Sequence, residues 1–149
     1  MGQQQLLLIV LGIIIVGIAI AVGVNMFQQS AVDTNRQSMI SDLTNLAAKA
    51  QRYYRTPQEL GGGAQNFQNF KLGRLDTSNA NGAFHVYASG YPTGPEVKPA
   101  YTVAIDITVS AVDSIWLAGW GQEDGNDAGF KVMAVTAVSP SGIQTTIVN

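Results

Sequence analysis

The chain has 149 residues, a net charge of −2, no cysteine and one histidine. Eight basic residues without a basic run exclude the electrostatic footprint of a nucleic-acid binder, and the lack of cysteine excludes a disulfide framework. Residues 1–32 contain no charged side chain, which leaves about 120 residues for a head with one small core.

Leu6–Val24 reads LLLIVLGIIIVGIAIAVGV. As a helix rising 1.5 Å per residue it spans roughly 28 Å, close to the hydrocarbon thickness of a bilayer. A helix apolar on every side belongs in lipid or among other such helices. The run does not match a cleaved secretory signal. Met1–Gln5 (MGQQQ) has no basic residue, the apolar stretch is long, and no small-residue cleavage site follows it.

From Ser30 to Tyr54 there is neither Gly nor Pro. Val32, Met39, Leu43, Leu46, Ala50 and Tyr53 follow one another at spacings of 7, 4, 3, 4 and 3, a single apolar stripe, with Asp33, Arg36, Asp42, Lys49 and Arg52 mostly on the other side. No breaker separates this stretch from the apolar run, so one helix from about residue 4 to Tyr54 is expected. It would be roughly 75 Å long, and its second half has a face that requires a sheet. Pro57 and Gly61–Gly63 end it.

Ala64–Gly82 is polar and reads as a connection, with Gln65–Asn69 a surface loop suited to lateral contact. Beyond it the period becomes two, most cleanly in Tyr101, Val103, Ile105, Ile107 and Val109. Further strands are expected at Phe84–Ser89, Ser114–Gly121, Phe130–Val138 and Gly142–Val148, separated by turn-rich pieces. The expected fold is α+β: a helical spine packed against an antiparallel meander of four to five strands. Its parts are an apolar half-helix (1–29), an amphipathic half of the same helix (30–55), a connecting αβ loop (56–82) and a sheet head (83–149).

This layout resembles the type IV pilin family and its pseudopilin relatives, most specifically over Met1–Tyr54. With Met1 as the first mature residue, the family's glutamate at the fifth position falls on Gln5, its aromatic beyond the apolar run on Phe27, and its paired aromatics on Tyr53 and Tyr54. Three features depart from the family. Gln5 is neutral, although its amide oxygen can still accept a hydrogen bond from a neighbour's N-terminal amine. Val22-Gly23 stands where the family has a helix-breaking proline. The leader peptide is absent, which is expected if it was removed before Met1; alternatively Gly2 precedes the cut and Gln3 begins the mature chain.

The resemblance implies assembly rather than catalysis. The subunit would wait in the cytoplasmic membrane, and pilus assembly machinery would then lift it into an extracellular homopolymer. Leu6, Leu7, Ile9, Val10, Ile13, Ile14, Val16, Ile20 and Phe27 would form the filament core. Met1, Gln3, Gln4 and Gln5 would set register at the N-terminal end. Gly12, Gly17 and Gly23 would allow close approach or helix stretching, or simply reflect the frequency of glycine in membrane helices. Two alternatives are a pseudopilin of a type II secretion-like machine and a single-pass anchored binding module. An archaeal-type filament subunit would more naturally carry a β-sandwich head.

Signals for other chemistry are thin. His85 has no orienting partner in sequence, so a structural role is expected. Glu123, Asp124, Asn126 and Asp127 are oxygen donors around Gly125, but their spacing is not that of a calcium loop and an acidic turn is the simpler reading. Trp116 and Trp120 share one strand face, either as core or as a surface aromatic patch, whereas Ile115 and Leu117 on the opposite face look more core-like. There is no N-x-[ST] sequon, and no nucleophile–base pair, metal cluster or phosphate loop. No enzymatic activity and no cofactor are expected.

Overall fold

A computed structural model describes residues 2–73, 75–88, 113–125 and 129–149. The helix α1 runs unbroken over Gly2–Arg55, 54 residues, through Gly12, Gly17 and Val22-Gly23. Among the described residues the sheet comprises β1 (Gly82–Tyr87), β2 (Ile115–Asp124), β3 (Lys131–Val138) and β4 (Ile143–Ile147). It is antiparallel throughout, in the order β1-β2-β3-β4. The fold class is therefore α+β, as the two hydrophobic periods predict. The strand expected at Tyr101–Val109 lies outside the described residues.

The stripe on α1 faces the sheet. Met39, Leu43, Ala47 and Ala50 are fully buried and Leu46 nearly so, against Phe84 and Val86 of β1, Ile115 and Leu117 of β2, and Val132, Ala134 and Val138 of β3. Val32 and Tyr53, at the two ends of the stripe, are partly buried against the same cluster. Strand alternation sends the intervening residues to the other face, where Ala118, Trp120, Met133 and Val135 form a second cluster.

The connecting loop differs from expectation. A 3-10 turn covers Gln58–Leu60, and the chain then folds back over the end of α1. Gly63 and Gln65 donate backbone hydrogen bonds to the Tyr53 and Tyr54 carbonyls (2.9 and 2.8 Å), which the helix itself leaves without partners. A Cβ at Gly63 would collide with the Asn66 backbone and the Tyr53 ring, so only glycine permits this return. Gln65–Asn69 is not simply a surface loop, because Phe67 within it is fully buried, followed by Phe70 and Leu72. Phe67 packs on Tyr54 with ring centroids 4.9 Å apart, and Phe70 on Tyr53 at 5.3 Å. The paired tyrosines are thus the seat for the loop.

Candidate functional site

Among the described residues, the largest run of exposed apolar side chains is the first half of α1. Fourteen large apolar side chains between Leu6 and Val24 are each 49–69% exposed. The 18-residue window that qualifies as a span has a mean hydropathy of 3.2 and is 0% buried within the molecule. Full burial of one such side chain is worth about 1.5–3 kcal/mol, so their collective burial is worth on the order of tens of kcal/mol. This helix could anchor in a membrane.

The residues expected to pack a filament core, Leu6, Leu7, Ile9, Val10, Ile13, Ile14, Val16, Ile20 and Phe27, are all on this surface, and Phe27 is 81% exposed. Gln3, Gln4 and Gln5 are exposed in the first turns, whereas Met1 lies outside the described residues. A Cβ added at Gly12, Gly17 or Gly23 would meet nothing within 4 Å. The fold of the head therefore places no demand on these glycines.

A set of polar clamps joins the spine to the head. The Asn35 side chain donates through Nδ2 to the Asn81 carbonyl at 2.9 Å and accepts the Gln122 amide on Oδ1 at 3.1 Å, tying α1 to the ends of β1 and β2. Gly121 makes this possible, since a Cβ there would strike the Asn35 amide and crowd the Met39 sulfur. Asp42 Oδ2 accepts from the amides of Asn79 and Asn81, both at 2.8 Å, and Lys49 pairs with Asp76 at 2.6 Å. Arg36 departs from its expected place on the polar side. Its side chain is 15% exposed and it pairs with Asp33 at 2.8 Å, while Nε and Nη2 are buried without a hydrogen-bond partner among the described residues.

The tryptophans do not form the surface patch entertained from sequence. Trp120 is 1% exposed in the second cluster, its indole Nε1 without a hydrogen-bond partner among the described residues, and Trp116 is half-buried beside it. Ile115 and Leu117 lie on the helix-facing side, as their alternation predicts. For calcium, Asn126 and Asp127 lie outside the described residues and Asp124 is ion-paired with Lys131 at 2.7 Å. No group of three metal-ligating side chains occurs among the described residues. His85, on the second face, stacks obliquely on Tyr87 at 4.9 Å; its Nδ1 is buried without a hydrogen-bond partner among the described residues, and burial lowers its pKa below the ordinary imidazole value.

The architecture is pilin-like: a long apolar N-terminal helix whose second half packs on an antiparallel sheet. Comparison with family models, with characterised proteins and with solved structures finds no match to this chain.

Proposed function

We propose that this chain is a structural subunit that polymerises through its apolar N-terminal helix into an extracellular type IV pilus-like filament. The observation that carries the reading is the continuity of α1: an uncharged half with its apolar side chains exposed, running without a break into a half that holds the head. Before assembly the apolar half resides in the cytoplasmic membrane. In the filament the same side chains exchange lipid for equivalent helices, so close packing and the polar glutamines at the N-terminal end set the register. The absence of charge up to Asp33 fits an interior in which an ion is costly.

The test is electron microscopy of material sheared from cells, with mass spectrometry of the N-terminus. Filaments composed of this chain, starting at Met1 or Gln3, are expected. Membrane-bound monomer alone would replace the polymer with an anchored binding module.

A further inference from the structure

At the base of the head, where α1 emerges toward its apolar half, a groove of about 770 Å³ lies between the helix and the end of β2. Phe27, Ala31 and Val32 give it an apolar wall, and Asp33, Glu123 and Asp124 give it carboxylates. Asp33 and Asp124 each have one basic partner, Arg36 and Lys131, yet their side chains remain 66% and 73% exposed. Glu123 is exposed and has no side-chain partner among the described residues.

The opposite end of the head has the converse character. Arg52 and Arg55 are exposed in the last turn of α1, and neither guanidinium has a partner among the described residues. Beside them Leu60, 78% exposed, projects from the Gln58–Leu60 turn, which backbone bonds to Pro57 and Gln58 hold in shape. Glu59 is the carboxylate on that turn. Along the helix axis Arg55 is roughly 33 Å from Asp33.

We infer that the base groove of one copy receives the Arg52–Arg55 end and the Leu60 turn of the next, a head-to-tail contact between copies of this chain. The inference rests on the polymer reading and adds its axial interface. The favourable interaction of Arg52 and Arg55 with the C-terminal end of the helix dipole explains why they are basic, but not why an apolar, acidic groove lies at the other end. A lipid or free phosphate does not suit the groove, since its carboxylates repel anions. A second copy supplies both the apolar projection and the cations. Two different surfaces at opposite ends form a heterologous contact, which extends without closing when the subunits stack along a line.

The chain contains no cysteine, so introduced thiols are the only ones present. In the full chain, Glu123→Cys combined with Arg55→Cys, sheared from cells and treated with a short bismaleimide, is expected to give a ladder of covalent dimers, trimers and higher species. Each single variant is expected to stay monomeric. Filaments without a ladder would overturn the contact and leave the polymer standing, whereas absence of filaments from the unmodified chain would overturn both. A dimer from Glu123→Cys alone would mean that base meets base, and would also overturn it. Independently of cross-linking, Arg52→Glu with Arg55→Glu should lower filament yield roughly fivefold, the scale of exposed ion pairs, with partial recovery on adding Glu123→Arg. A yield indifferent to these reversals would sink the contact.

Discussion

Asn35 shows how one side chain can hold two elements together. Its amide satisfies the Asn81 carbonyl and the Gln122 N–H, both near the end of the core. Asn35→Leu removes both bonds, leaving the part-buried Asn81 carbonyl without its partner and the exposed Gln122 N–H to water, and should destabilise the head by about 1–2 kcal/mol, read from denaturant midpoints of the full chain in detergent. Phe67→Ala removes a fully buried ring seated on Tyr54 and should cost about 3–5 kcal/mol, whereas Leu75→Ala, at a site 91% exposed, should change almost nothing. His85 gives the head a pH dependence. Its folded-state pKa lies below the unfolded value near 6.5, so above that pH the imidazole is neutral in both states and contributes no slope. As pH falls through 6.5 toward the folded pKa, the unfolded chain takes the proton first and stability declines. Melting curves at pH 7.5 and 5.5 should separate for the native chain, and the separation should narrow for His85→Gln. These residues were poorly legible in sequence: Phe67 sits among Asn and Gln with no period to betray it, and Asn35 looks like any polar residue of an amphipathic helix. Neither role exists until the loop and the sheet arrive from distant parts of the chain.

At the level of elements, periodicity carried most of the information. The helix was readable because its apolar residues keep a helical spacing after Ser30 and lack any breaker before it, and α1 ends within a residue of the expected Tyr54. Strands β1, β3 and β4 match expectation to within a residue or two at each end. By contrast β2 extends to Asp124, three residues past its expected end, through a register shift between Trp120 and Asp124 in which β2 carries the extra residues. Trp116 and Trp120 were correctly placed on one face, but alternation alone cannot tell whether that face is covered. The two halves of α1 are energetically separate, since residues 6–24 have no contact with the core formed by the described residues. Ile14→Lys should therefore leave the melting temperature of the head unchanged while weakening membrane insertion and lowering filament recovery. A lysine at the centre of an apolar span costs about 2.5–3.5 kcal/mol on insertion scales. Alkaline extraction of membranes and the yield of sheared filaments read the two effects apart from stability.

Across the whole molecule, the described structure separates a folding unit from an assembling one along a single helix. Every fully buried residue lies at or beyond Met39, and Val32 is the earliest residue packed against the core. The clamps at Asn35, Asp42 and Lys49 also lie beyond the apolar half. Removing residues 1–27 therefore deletes no core contact and no clamp, while it removes nearly all of the exposed apolar surface. The remaining helix still begins about one turn before Val32 and keeps its packing against β2 and β3, which matters more for its stability than intrinsic helix propensity. The truncated chain should be a water-soluble monomer by sedimentation, with antiparallel-sheet and helical circular dichroism. Its melting temperature should lie within about 4 °C of that of the full chain in detergent, the shift produced by roughly 1 kcal/mol in a domain of this size. A truncated chain that fails to fold would show that the apolar half supports the head. A truncated chain that folds and still polymerises would show that contacts between heads hold the polymer without the apolar helix.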